Sequence, residues 1–155
     1  MEESAGEMTE QFLNTTSVGM MFVNLFVMAL LPAVGEEMMF RGWLQRVLGK
    51  RVNYHTAIWV SAFVFSVIHF QFYGFIPRML IGAALGYLYC YTGSLWAPII
   101  AHFTNNAAAV VFAFLTYNGY TSTNFDLIGT GDTWYLSVAS VAVCLALMFM
   151  LKKAT

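Results

Sequence analysis

Charge is what this sequence has least of. Only 10% of its 155 residues are Asp, Glu, Lys or Arg, against about 25% in a soluble domain. With 59% hydrophobic residues and a mean hydropathy of +0.67, the chain carries more apolar surface than one aqueous core of this size can cover. That excludes a soluble globular domain and leaves an integral membrane protein. The formal net charge of −1 says nothing about nucleic acid, but there is no basic run that would bind it, so no nucleic-acid partner is expected. Cysteine is also scarce. Cys90 and Cys144 each lie in an apolar segment, which argues against a disulfide framework or a CxxC metal or redox site; both read as small buried hydrophobes. Residues 1–17 lack the basic start and cleavage site of a signal peptide. They carry Glu2, Glu3, Glu7 and Glu10 and read as a polar, acidic tail.

What is present is a series of apolar segments. The first begins near Val18 and runs through Pro32, which can kink a membrane helix without ending it, to about Leu48. A turn over Gly49 to Asn53 follows. Further segments cover about Thr56 to Tyr73, Pro77 to Tyr91, Leu95 to Tyr117 and Trp134 to Leu151, each near the roughly 20 residues needed to span a bilayer. The expected architecture is all-α: a multi-pass transmembrane helical bundle of about five spans, forming a single domain over 18–155. Gly82 and Gly86 form a GxxxG pattern that lets helix backbones approach closely, and simple packing explains it. Thr116 to Asp132 reads as a polar loop.

The basic residues orient the bundle. Five spans place Arg41, Arg46, Lys50, Arg51, Lys152 and Lys153 toward one face, with Arg78 alone on the other beside the acidic tail, Asp126 and Asp132. The positive-inside rule makes the first face cytoplasmic. The expected protein is a multi-pass component of the plasma membrane, N-terminus outside and C-terminus inside, with lipid as its surroundings. Trp43, Trp59 and Trp96 then lie toward the cytoplasmic face and Trp134 toward the other, as interfacial anchors.

Against this background the few polar groups inside apolar helices need a reason, because ionisable side chains at membrane depth are expensive and usually paired or functional. Glu37 and Arg41 are four apart and can pair on one helix face. Such a staple leaves the adjacent Glu36 over. If the first two helices form a hairpin turning near Val52, Glu36 and His69 lie almost equally far from its tip, and His102 lies about nine residues past the Gly93 turn. At roughly 1.5 Å per residue these three groups share one level, about 13 Å from the cytoplasmic edge. Asn106, four residues after His102, shares its face. Singly, each histidine could be a core group bonded to backbone and Asn106 an interhelical link; together they suggest a site. Phe65, one turn before His69, reads as a packing residue.

The ordered triple Glu36-Glu37-x-x-x-Arg41, Phe65-x-x-x-His69 and His102-x-x-x-Asn106 resembles the three-motif signature of the CPBP family, the CAAX-protease and bacteriocin-processing (Abi-type) intramembrane proteases. The run Gly93 to Pro98 resembles that family too, and the similarity covers about 32–106. Family members commonly have additional N-terminal helices. The resemblance implies an intramembrane endopeptidase acting on a membrane-bound peptide or protein substrate, with Glu36, His69, His102 and Asn106 as catalytic residues supported by Glu37 and Arg41.

Amide hydrolysis needs an activated water and donors for the developing oxyanion. Glu36 with His69 suits the first need, and His102 with Asn106 the second. Two histidines and a glutamate are also a legitimate zinc set with an open position for water. Although HExxH is absent, Glu36, His69 and His102 could then be metal ligands from separate helices. No other cofactor is implied. The remaining alternative is a non-catalytic immunity or interaction protein, or a small carrier, using the same polar cluster.

Overall fold

The computed structural model describes residues 9, 11–70, 72, 74–121 and 134–154. Glu2, Glu3, Glu7, Glu10, Asp126, Asp132 and the Cys144 side chain lie outside the described residues. The described residues are helical with short connections and no strand. Helix α1 (Val18–Gly49) starts at Ser17, whose hydroxyl caps the backbone N–H of Met20. It continues through Pro32 without a break, as expected, but its winding changes twice. Leu25–Leu30 and Met38–Leu44 are wider π-helical stretches. The first immediately precedes the turn containing Pro32, where the missing N–H and the crowding of the carbonyl four residues back favour a widened turn. The second follows Glu37 directly.

Helix α2 (Tyr54–Val67) opens at Asn53, whose side chain accepts from the Thr56 N–H at 2.9 Å. It ends well before Tyr73, the limit expected from hydropathy, and His69 lies beyond its last turn. The local chemistry explains the stop. The His69 ring donates from Nδ1 to the Phe65 carbonyl at 2.7 Å, and the Ser66 hydroxyl donates to the Phe75 carbonyl at 2.6 Å. The Phe65 carbonyl is thereby satisfied without a further helical turn, the Ser66 bond ties the end of α2 to the start of α3, and Phe70 adopts a positive φ of 50°.

Helix α3 (Phe75–Thr92) begins two residues before the expected Pro77, which fits in its first turn because its missing N–H is unneeded there. It ends at Gly93 in the left-handed region, φ 64°. Helices α4 (Trp96–Tyr117) and α5 (Trp134–Ala154) follow.

By length and hydropathy, two of these helices, Val18–Gly49 and Trp96–Tyr117, are able to cross a membrane, and the 14-residue α2 is too short by that measure. The sequence estimate of about five comparable spans is therefore not matched helix for helix. α2 and α3 form the closest hairpin. A Cβ at Gly82 would lie 3.3 Å from Ala62 Cβ, and one at Gly86 would lie 2.9 Å from an Ile58 methyl, so the GxxxG pattern does serve packing. The N-terminal half of α1 packs on α4 and its C-terminal half on α2. Phe22, Phe26, Phe63, Leu80 and Ile100 point outward from the described helices, an exterior suited to lipid. Cys90 is exposed, not the buried residue its apolar neighbourhood suggested, although its Sγ accepts from Gln45 Nε2 at 3.3 Å. An apolar stretch signals lipid contact as readily as protein contact. The described part of the acidic tail lies against the bundle: the Phe12 carbonyl accepts from Asn24 Nδ2 at 2.6 Å, and the Thr15 carbonyl from Asn118 Nδ2 at 2.9 Å.

Candidate active site

Glu36 and Glu37 are adjacent on α1 and therefore point about 100° apart around the helix. Glu37 turns into the bundle and is fully buried. Its Oε1 accepts from Arg41 Nη1 at 2.7 Å, the i,i+4 pair expected from spacing, and also from His102 Nδ1 at 2.8 Å. The second contact was not expected. Arg41, equally buried, donates from Nη2 to the Gly82 carbonyl at 2.7 Å and lies 5.2 Å above the centre of the Phe65 ring. One turn on, Gln45 Nε2 repeats the arrangement with the Gly86 carbonyl at 3.2 Å. Two glycines four apart on α3 thus present their carbonyls to two polar residues four apart on α1, a use of GxxxG that the motif alone does not reveal.

Glu36 turns the other way, into a cavity of about 590 Å³ whose wall includes Pro32, Phe65, His69, Arg78, His102, Asn105 and Asn106. Its side chain is 26% exposed, as against none of Glu37. Glu36 Oε1 lies 3.8 Å from His69 Nε2, and Oε2 lies 3.8 Å from His102 Nε2. Both separations exceed a direct hydrogen bond and suit a water placed beside them.

The partners on the far side of each ring fix its tautomer. His69 Nδ1 faces a carbonyl, which can only accept, so Nδ1 carries the proton and the neutral ring turns a lone pair toward Glu36. His102 Nδ1 faces the Glu37 carboxylate and likewise donates, so its Nε2 can donate into the cavity only when the ring is an imidazolium. Phe65 separates the two imidazoles, with its ring centre 5.0 Å from that of His69 and 6.0 Å from that of His102, both edge-on. It packs as expected, but against the site itself.

The four residues expected to share one level therefore do share one cavity, from α1, the α2–α3 connection and α4. Asn106 is held by its neighbour: Asn105 Nδ2 donates to Asn106 Oδ1 at 3.3 Å, which directs the Asn106 amide N–H groups away as potential donors. Asn105 and Arg78 are wall residues that sequence reasoning passed over. Arg78 carried a signal, as a lone charge in a long neutral stretch, which served there only to orient the bundle. Among the described residues no three His, Cys, Asp or Glu side chains are gathered closely enough to form a metal-binding group as they stand.

A curated Bacillus subtilis relative, "Uncharacterized protein YpbD", is 34% identical over 88 residues, which cover 54% of this chain and 42% of the relative. Another from the same organism, "Putative membrane peptidase YdiL", is 25% identical over 107 residues, 67% of this chain and 44% of the relative. The chain thus spans less than half the length of these relatives. No solved structure matches. Residues 18–108, which contain all three motifs, match the model of the Rce1-like family, described as type II CAAX prenyl endopeptidase Rce1-like, and the chain belongs to that family of membrane proteins.

Proposed function

We propose that this protein is an intramembrane endopeptidase that hydrolyses a peptide bond of a membrane-associated substrate. The observation that carries the reading is the position of Glu36, its two carboxylate oxygens each 3.8 Å from a histidine Nε2 inside one cavity. Water bridging Glu36 Oε1 and His69 Nε2 gives one hydrogen to each acceptor and keeps a lone pair for attack. As its oxygen bonds to the scissile carbonyl carbon, Glu36 takes the proton. The carbonyl oxygen becomes an oxyanion beside the Asn106 amide and the Nε2–H of a protonated His102, two donors suited to that charge. Collapse of the tetrahedral intermediate breaks the C–N bond, and the proton on Glu36 passes to the departing amine.

In this reading Glu37 and Arg41 are positioning groups. Glu37 holds His102 by Nδ1 and balances the imidazolium, while Arg41 anchors Glu37 to the backbone of α3. The proposed setting is a five-span bundle in the plasma membrane, N-terminus outside and C-terminus cytoplasmic. The direct test is purified protein in detergent or lipid, incubated with a peptide library and read by mass spectrometry. Cleavage by the wild type and none by Glu36→Gln is the expected result; equal product from both ends the proposal.

A further inference from the structure

The end of the bundle where α1 gives way to α2 carries three cations that take no part in the cavity. Arg46, Lys50 and Arg51 are all exposed, and residues 38–125 contain no Asp or Glu. Glu36 and Glu37, the acids closest along the chain, face His69, His102 and Arg41. Among the described residues, none of the three cations has a carboxylate partner. They do not close the helix either: the Lys50 N–H returns to the Val47 carbonyl at 3.3 Å, and the Arg51 and Val52 N–H groups return to the Leu48 carbonyl at 2.8 and 3.0 Å. Arg46, Val47 and Lys50 share one side of α1, with Trp43 one turn before Val47. Gln45, on the other side, is buried and bonded to α3. Trp43 and Val47 are exposed, so along the axis an apolar surface comes first and the charges of Lys50 and Arg51 last. Aromatic side chains ring the same end. Tyr54 opens α2, His55 Nδ1 lies 2.8 Å from the Tyr87 hydroxyl of α3, and the exposed Trp96 opens α4. Aromatic belts of this kind mark the level of lipid headgroups.

We propose that Arg46, Lys50 and Arg51 form a binding site for the headgroup phosphate of an anionic phospholipid, whose acyl chains lie along Trp43 and Val47. The two guanidinium groups match phosphate oxygens through paired hydrogen bonds, and the lysine adds a point charge. A basic cluster beside a membrane span attracts anionic lipid in this way. In a zwitterionic lipid the headgroup cation cancels most of that attraction. A soluble acidic partner would meet the three charges but leave Trp43 and Val47 uncovered, whereas a phospholipid matches both parts of the surface. The site lies apart from Glu36 and does not depend on the peptidase reading.

Phosphatidylglycerol and phosphatidylcholine with the same acyl chains test this, titrated into the full chain in detergent and counted as bound lipid by native mass spectrometry. Each cation near an anionic headgroup contributes about fivefold, so phosphatidylglycerol is expected to bind about 10- to 100-fold more tightly than phosphatidylcholine. The triple variant Arg46→Gln, Lys50→Gln, Arg51→Gln should erase the preference. Each single substitution should lower it about fivefold, which keeps the assignment testable if the triple variant does not fold. Trp43→Ala should weaken both lipids and leave their ratio unchanged, because it touches the acyl part alone. Removing two cations elsewhere, with Lys152→Gln and Lys153→Gln, should leave the preference intact. Glycerol 1-phosphate and hexaglutamate, which offer anions without acyl chains, should not displace the lipid at its own concentration. Equal binding of the two lipids, an undiminished preference in the triple variant, or the same loss in the Lys152 and Lys153 variant overturns the site. Displacement by glycerol 1-phosphate or by hexaglutamate overturns it as well, in favour of a soluble phosphate or an acidic protein.

Discussion

The two adjacent glutamates should respond in opposite ways to the same conservative change. Glu37→Gln removes a charge from a fully buried side chain that takes Arg41 Nη1 at 2.7 Å and His102 Nδ1 at 2.8 Å. Arg41 is 1% exposed, so water cannot replace the lost carboxylate. Breaking such a buried pair costs about 3–5 kcal/mol. At roughly 2–4 °C of melting temperature per kcal/mol for a chain of this size, the melting temperature should fall on the order of 10 °C. Glu36→Gln removes a charge whose nearest partners are 3.8 Å away and whose side chain is 26% exposed. No direct hydrogen bond is lost, and the melting temperature should stay within about 2 °C of the wild type, equivalent to less than about 1 kcal/mol. Both variants should lose proteolysis, one with its fold and one without. The assay is thermal unfolding in detergent, run beside peptide cleavage. A double variant, Glu37→Gln with Arg41→Met, separates the roles further. Replacing the buried pair by uncharged groups should recover most of the stability, whereas turnover should remain low because His102 has lost the carboxylate that balances its charge. If Glu37→Gln melts like the wild type, or Glu36→Gln is the less stable of the two, the division between a buried positioning acid and a cavity-facing base is wrong.

His102→Ala and Asn106→Ala should each lower turnover about 10²- to 10³-fold, the usual effect of removing one oxyanion donor, measured as kcat on a cleaved peptide; an unchanged kcat in Asn106→Ala removes it from the site. Gly86→Ala places a methyl 2.9 Å from Ile58 Cγ2 and should destabilise by about 1–3 kcal/mol, read from the same thermal scans. Chelators should leave peptide cleavage intact and added zinc should not raise it, whereas loss on chelation with recovery on zinc would restore the metal mechanism. With both native cysteines replaced, a cysteine at Asn53 should be protected from an impermeant thiol reagent in intact cells and one at Gly119 labelled; the reverse pattern inverts the proposed orientation.

The common cavity of Glu36, His69, His102 and Asn106 was legible because it follows from two things a sequence carries, namely spacing along helices and the rarity of polar groups at depth. The end of α2 was not. Hydropathy runs on past Val67 to Tyr73, while at the stop the His69 ring takes over the Phe65 carbonyl through Nδ1 and Ser66 ties the end of α2 to the Phe75 carbonyl of α3. Apolarity averages over such contacts. The same limit hid the partner of Glu37. Its bond to Arg41 is local and follows from i,i+4 geometry, but its bond to His102 spans 65 positions and depends on which way α4 turns. The GxxxG pattern foretold close approach of α3, but close approach alone does not say that the exposed carbonyls at Gly82 and Gly86 receive Arg41 and Gln45. One physical consequence joins these misses. Every contact that fixes a tautomer or neutralises a buried charge in this site runs through backbone carbonyls or through one shared oxygen of Glu37, groups whose role depends on placement rather than residue type. The residues that share the cavity could therefore be named from the sequence, whereas the partners that hold the two histidine rings could be read only once the helices were set against one another.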